Sequence, residues 1–231
     1  MGDKPVLTKI AVLGVGRVGT AVARTAMQAG LAVNVAASKG AEEIALIAEI
    51  ITPGAVAMTA ADAVADVDLV VLAVPLHKFR TVDPRMLDGK IVIDAMNHWH
   101  DVDGPLEDVT GDPRSTSEIV ASHLAGARIV KALNHIGYHE LEEDARRDIA
   151  SGAEGRGLES RRALAYATDD ADAAAATHEL LDRFGFEPVF AGALASGIAF
   201  ESGTDIFNDS FDAVGMRAAL ADAGIPALVA A

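Results

Sequence analysis

Short apolar runs alternate with amphipathic stretches from the ninth residue onward, and the alternation predicts a repeating strand–helix chain. Ile10–Leu13 is continuous and apolar, as in a strand buried on both faces. Thr20–Ala29 reads as a helix, and Gly30 is its stop. Leu31–Ala37 is a second strand. Glu42–Ile51 places apolar residues at 44, 46, 47, 50 and 51, a helical spacing, and Thr52-Pro53-Gly54 ends it. Val56–Thr59 is a short third strand and Ala60–Ala65 a short helix. Leu69–Val74 is a β-branched run that predicts a central strand, ended by Pro75. Lys90–Ala95 and Arg128–Leu133 are the fifth and sixth strands. A helix capped by Ser115 or Thr116 lies between them and runs to about Leu124. Ala163–Ala167, Asp170–Phe184 and Glu187–Ala191 form a strand–helix–strand unit expected to add to the same sheet. A last helix, capped by Asp209 or Ser210, runs to about Asp222. The periodicity fails over Asn97–Arg114 and over 140–162, which read as loops, and Gly192–Asn208 is a connector. The expected fold is α/β, a doubly wound and mostly parallel Rossmann-type sheet with a small C-terminal α/β extension. Residues 1–134 form the first part and 135–231 the smaller second part.

The turn from the first strand to the first helix carries the chemistry. Gly14, Gly16 and Gly19 give G-x-G-x-x-G in the strand–helix context that the pattern requires. Gly14 permits the tight turn, Gly16 lets the backbone approach a pyrophosphate, and Gly19 lets helix and strand pack closely. Val15, Arg17 and Val18 fill the spacing, and the N–H groups of Arg17 and Val18 would face the phosphates. The motif therefore predicts dinucleotide binding. The second strand then ends in Ser38-Lys39, where an NAD site would place a carboxylate for the ribose 2′-hydroxyl. A hydroxyl and an ammonium suit a 2′-phosphate instead, which points to NADP and away from a methyltransferase. Segments leaving the fourth and fifth strands supply the remaining candidate contacts: Ala73, Val74, Pro75 and Leu76, then Met96 and Asn97, with His77 on the nicotinamide side. His98, His100, His135 and His139 would gather at the same rim. His135 and His139 have i, i+4 spacing, but no matching carboxylate pattern accompanies them. They read as pocket lining, and no metal is expected.

Composition narrows the function classes. Lys and Arg total 19 against 34 Asp and Glu, a net charge of −15, which disfavours nucleic acid and acidic membranes as partners. Aromatic residues are only 4% of the chain, so alanine and valine must fill the core. The absence of cysteine excludes disulfides, thiolate nucleophiles and Cys-ligated zinc. Met-Gly-Asp-Lys-Pro-Val has no apolar signal core, Val6 breaks the myristoylation pattern, and no apolar stretch reaches 18 residues. A soluble cytoplasmic protein is the expectation.

The chain resembles the NADPH:F420 oxidoreductases, a family related to the reductase portion of membrane ferric reductases. The resemblance rests on Ile10–Gly19, Ser38-Lys39, Val74-Pro75, Val130-Lys-Ala-Leu-Asn134, Thr168-Asp-Asp170 and Phe186–Gly192 followed by Leu194. It implies NADP, coenzyme F420 as the partner cofactor, hydride exchange between nicotinamide C4 and deazaflavin C5, and a homodimer. By the same resemblance, Asn134, His135 and Ile136 face the deazaflavin, with His135 or Asn134 offering a hydrogen bond. Gly192 and Leu194 close the loop over it. The family commonly has Asp-Ala-Gly-Pro-Leu where this chain has Phe190-Ala-Gly-Ala-Leu194, and an arginine where Ile198 stands. Other readings are a non-catalytic NADP-binding module and a reductase of a different small acceptor: a flavin, a ferric chelate or an imine. His135 could also be a neutral core residue that holds its loop, and Ile136 a core isoleucine.

Overall fold

Parallel pairing of the apolar runs builds a six-stranded sheet. The computed structural model describes residues 7–106, 109, 111–145 and 161–226. Glu107, Asp108, Arg146, Arg147, Arg156 and the glycines at 152, 155 and 157 lie outside the described residues. The strands are β1 (Lys9–Leu13), β2 (Ala32–Ala36), β3 (Val56–Ala57), β4 (Leu69–Leu72), β5 (Ile91–Asp94) and β6 (Arg128–Lys131). Their order is β3-β2-β1-β4-β5-β6, and every pairing is parallel. The chain winds outward from β1 to one edge, returns to β4, and winds to the other. The crevice between β1 and β4 is thus a topological switch point, where such sheets bind ligands. β4 and β5 are buried at every position, because helices cover both faces.

Two apolar cores lie on the two sides of the sheet. One holds Ile10, Val12, Val33, Val71 and Ile93 under helix α1 (Arg17–Gln28); the other holds Ala11, Leu13, Val70, Leu72 and Val92. Neighbours in a strand point to opposite faces, so alternate residues enter opposite cores. Helix α2 (Ala41–Ile51) departs from its spacing. Only Ile44 and Ala48 are buried, and Leu46, Ile47, Ile50 and Ile51 are exposed. Helix α3 (Ala60–Ala65) is capped by Thr59. The aperiodic stretch after β5 contains one helical turn, α4 (His100–Asp103). Helix α5 (Thr116–His123) starts with a capping box in which Ser115 and Glu118 satisfy each other's backbone N–H.

The C-terminal strands do not extend the main sheet as expected. β7 (Ala163–Tyr166) and β8 (Glu187–Phe190) form their own parallel two-stranded sheet. A single antiparallel bridge, Lys131 to Ala167, joins it to the end of β6. Helix α6 (Tyr138–Asp144) follows β6, and α7 (Ala171–Phe184) connects β7 to β8, capped by Asp170 and stopped by Gly185. Leu180, Leu181 and Phe184 of α7 enter the same core as Ile10 and Val12. The last helix, α8 (Ala213–Asp222), is capped by Asp212, a few residues past the expected cap. Among the described residues, no helix is long and apolar enough to cross a membrane.

Candidate functional site

The glycine turn is stitched into the sheet by its own backbone. Gly14 N–H donates to the Ala36 carbonyl at 2.8 Å, and Ala73 N–H donates to the Leu13 carbonyl at 2.8 Å. Gly14 has φ +115°, and a Cβ there would lie 2.4 Å from the Ala73 carbonyl oxygen. A Cβ on Gly19 would lie 1.9 Å from the Gly14 carbonyl oxygen. The fold itself therefore demands glycine at 14 and 19. Gly16 is different. Its φ of −78° suits any residue, and a Cβ there would meet no protein atom within 4 Å. Packing gives no reason for this glycine; a ligand passing close to the backbone does.

Gly16 is also the N-cap of α1, and it brings no side chain to cap the helix. The first turn carries no acidic residue. Unsatisfied N–H groups and the positive end of the helix dipole thus face the crevice, an arrangement suited to an anion. Two cavities meet here, both bounded by Gly16, Ala73, Val74 and Pro75. The smaller, about 240 Å³, lies toward β2 and also touches Val15, Ser38 and Lys78. The larger, about 460 Å³, lies toward β5 and touches Arg17, Val18, Met96, Asn97, Trp99 and Tyr138. A dinucleotide across the switch point would set its adenosine in the first, its pyrophosphate at Gly16 and its nicotinamide in the second.

The predicted contacts distribute unevenly over this crevice. Gly14, Val15, Gly16, Ser38, Ala73, Val74 and Pro75 border the smaller cavity, and Gly16, Arg17, Val18, Ala73, Val74, Pro75, Met96 and Asn97 the larger. Lys39 is exposed beside Ser38 and outside the cavity wall. Leu76 departs from the expectation: it turns into the core with Phe79 and Val82, because the chain after Pro75 coils into a 3-10 helix. The same coil brings Lys78 to the cavity wall, a cation that sequence reasoning missed. Its position one turn past Pro75 was the available signal.

His77 sits against α4. Its Nδ1 is 2.7 Å from Asp103 Oδ1, and its backbone N–H donates to the same oxygen at 3.2 Å. Trp99 N–H donates to Asp103 Oδ2 at 2.8 Å. Burial works against the Asp103 carboxylate, but these N–H groups and the His77 ring outweigh it and hold its pKa below the ordinary value. Asp103 therefore pins the segment after β4 to the segment after β5.

Asn134, His135 and Ile136 do not stand on the wall of either cavity, contrary to their expected place against an acceptor. Asn134 Nδ2 donates to the Phe200 carbonyl at 2.8 Å and to Asn97 Oδ1 at 3.2 Å, and Asn97 Nδ2 donates to the Asn134 carbonyl at 2.7 Å. The two asparagines hold the ends of β5 and β6 together. Ile136 belongs to the apolar core with Leu133 and Leu141. His135 is buried, with its ring edge-on to Phe200 and its Nε2 accepting from Ala165 N–H at 3.1 Å. The chain turns these side chains inward because β7 needs a partner where β6 ends.

Burial, then the charges of Arg162 and Lys131, push the His135 pKa down to about 3. The neutral ring is thus the native form. Below its ordinary 6.5 the unfolded chain takes up a proton that the native state refuses. The stabilisation is complete above that value and is lost as pH falls toward 3. Between pH 7 and pH 5 the parent should lose roughly 2 kcal/mol more stability than a His135→Gln variant. Urea unfolding at the two pH values checks this, and parallel losses would disprove it.

A buried ion pair lies beneath the larger cavity. Lys131 and Asp94 are wholly buried, with Lys131 Nζ 3.6 Å from Asp94 Oδ2. Lys131 Nζ also donates to the Met96 carbonyl at 2.7 Å. Asp94 accepts from Met96 N–H at 2.9 Å and from Ser117 Oγ at 2.6 Å. The cavity floor at Met96 is thereby held through both its N–H and its carbonyl. The rim histidines do not meet as a group of four, although the His98 and His100 rings lie edge-on with centroids 6.5 Å apart. His98 Nε2 lies 3.0 Å from the Gly104 carbonyl oxygen, His139 stacks against Tyr138, and His135 is in the core. Among the described residues, no three His, Asp or Glu side chains form a metal-ligand group.

Comparison with known proteins places this geometry. No curated protein matches the sequence. A hypothetical protein from Sinorhizobium meliloti is similar in structure, with 27% identity and a TM-score of 0.74 over 89% of this chain and 95% of that one. A protein from Arthrobacter sp. FB24, assigned as an F420-dependent NADP-reductase, has 23% identity and a TM-score of 0.66 over 83% of this chain and 88% of that one. An imine reductase from Pseudomonas sp. has 21% identity and a TM-score of 0.54, with 80% of this chain matching 56% of the longer enzyme. Residues 9–98, the crevice and its glycine turn, match the family described as NADP oxidoreductase, coenzyme F420-dependent.

Proposed function

We propose that the chain binds NADP(H) across the switch point and exchanges a hydride with a planar acceptor of the deazaflavin kind, coenzyme F420 among them. The observation that carries this is Gly16, a glycine that packing does not require, at an uncapped helix N-terminus between two cavities. Bound NADPH would supply the hydride from its nicotinamide C4. The protein's share is to bind, orient and exclude water, which suits a site without a thiol nucleophile. Ser38 and Lys39 would meet the 2′-phosphate, and Lys78 would face it from across the smaller cavity. The apolar wall of Val18, Val74, Pro75 and Met96 would hold the nicotinamide.

A spectrophotometric acceptor screen tests the reading. NADPH oxidation with F420 or another flat ring of its kind supports it, and oxidation with a ferric chelate alone would mark a reductase of a different small acceptor. Tight NADPH binding without turnover would instead mark a module that only holds the dinucleotide. The cation arrangement carries its own test. Each charged hydrogen bond to the 2′-phosphate contributes about 1.5–3 kcal/mol. Lys39→Ala and Lys78→Ala should each weaken NADPH by roughly ten- to a hundredfold and leave NADH almost unchanged. Equal losses for the two dinucleotides would remove both lysines from the phosphate site. The family resemblance also implies a cytoplasmic homodimer, which sedimentation can test.

A further inference from the structure

Trp99 is the only tryptophan in the chain, and it stands on the wall of the larger cavity while 48% exposed. Its ring meets Phe207 edge-on, with centroids 5.5 Å apart and planes at 66°. The backbone on either side is fixed. Before the ring, Trp99 N–H is bound to Asp103 and the His98 carbonyl accepts from Ser202 Oγ at 3.0 Å; after it, the Trp99 carbonyl accepts from Asp103 N–H at 2.7 Å. The ring is therefore a braced aromatic face left half in water, in a chain that has few aromatics. Burying that face against another flat ring would gain both area and stacking.

The charges beside it limit what that ring can carry. The segments that hold the platform, 97–103 and 202–208, contain Asp101, Asp103 and Asp205 and neither lysine nor arginine. Ile198, in the preceding 3-10 turn, is exposed and apolar. The larger cavity has Arg17 at its wall, but Arg17 belongs to the helix N-terminus where the pyrophosphate would lie. A phosphorylated or polycarboxylate tail would find repulsion around Trp99.

We propose that Trp99, braced by Phe207, is the stacking platform of the acceptor subsite, and that this subsite favours a flat heteroaromatic ring without a polyanionic tail over the same ring carrying one. The proposal rests on the NADP reading above and names the acceptor class for that same site. Because Trp99 is the sole tryptophan, quenching of its emission reports a ring bound near it, and the Trp99 variants report whether that ring stacks on it. Protein saturated with NADP+ is titrated with riboflavin, with riboflavin 5′-phosphate, with F420 and with the tail-free deazaflavin ring of F420. The tail-free rings should quench at concentrations at least about tenfold lower than their anionic counterparts. Trp99→Leu should weaken riboflavin binding, read by the anisotropy of riboflavin's own fluorescence, by roughly ten- to a hundredfold. Trp99→Phe should recover most of it, and NADPH affinity should stay within about twofold in both variants.

Riboflavin binding unchanged in Trp99→Leu would overturn the platform, and so would a joint loss of riboflavin and NADPH. F420 binding more tightly than its tail-free ring would overturn the acceptor class. Parent protein that binds NADPH but no flat ring defeats this inference alone. Parent protein that binds no NADPH defeats the functional reading beneath it.

Discussion

Replacing Gly16 with valine will abolish NADPH binding and leave the protein folded. The fold tolerates the change, because a Cβ at Gly16 meets no protein atom within 4 Å and the backbone there is extended. The new side chain would occupy the path of the pyrophosphate at the start of α1. Loss of two charged hydrogen bonds from the helix N–H groups, at about 1.5–3 kcal/mol each, weakens binding by about a hundredfold or more. Circular dichroism should match the parent while calorimetric titration with NADPH shows no measurable heat. Gly19→Ala is the opposite control. Its Cβ would lie 1.9 Å from the Gly14 carbonyl oxygen, so it should cost stability before affinity. Retained NADPH affinity in a folded Gly16→Val protein would remove the dinucleotide from this crevice.

Lys131→Met will be the most destabilising single change near the site. It leaves the wholly buried Asp94 carboxylate without its cation and frees the Met96 carbonyl. Breaking one side of a buried pair costs about 3–5 kcal/mol, or a fall in melting temperature of roughly 6–20 °C for a chain of this size. Adding Asp94→Asn should restore more than half of the loss. The amide keeps its oxygen for one of the two donors, Met96 N–H and Ser117 Oγ, and leaves no unpaired charge. Differential scanning calorimetry on the single and double variants measures both effects. A double variant no more stable than Lys131→Met would show that the loss comes from the hydrogen bonds of Lys131 Nζ to the Met96 carbonyl and Thr116 Oγ1 rather than from the unpaired Asp94 charge.

The part of this site that was legible in the sequence is the part made by neighbours in the chain. The glycine turn, Ser38 at the end of β2 and Pro75 after β4 are local features, and parallel winding alone brings them to one rim. What escaped depends on pairing across long separations. The run Ala163–Tyr166 announces a strand, but nothing in it says which sheet it joins. That choice decides the fate of His135, whose Nε2 receives the Ala165 N–H in the second sheet rather than facing an acceptor. Leu76 and Lys78 were similarly ambiguous. An extended exit from β4 would have pointed Leu76 at the ligand; the 3-10 coil points Leu76 inward and Lys78 at the cavity. The spacing in α2 gave the right helix but overstated its buried face, since a helix over the short β3 edge has little sheet to cover. Asp94 and Lys131 lie in strands that read as simply apolar. Polar residues at the carboxyl ends of two adjacent buried strands were the only local sign of an ion pair.

The single apolar core that receives both Val12 of β1 and Phe184 of α7 sets how the molecule can move. Enzymes that close two lobes over a cofactor need a hinge, and a hinge needs a seam with few packed side chains across it. Here β6 passes directly into the bridge with Ala167, and α7 is wedged against the helix side of the main sheet. Arg24 of α1 is paired to Glu142 of α6 across the same boundary. Closure of one part over the other would have to break that shared packing. The crevice is bordered instead by the coil after Pro75, which packs in the core on the other side of the sheet, and by the segment around Trp99. These are pinned to each other by a single carboxylate, Asp103.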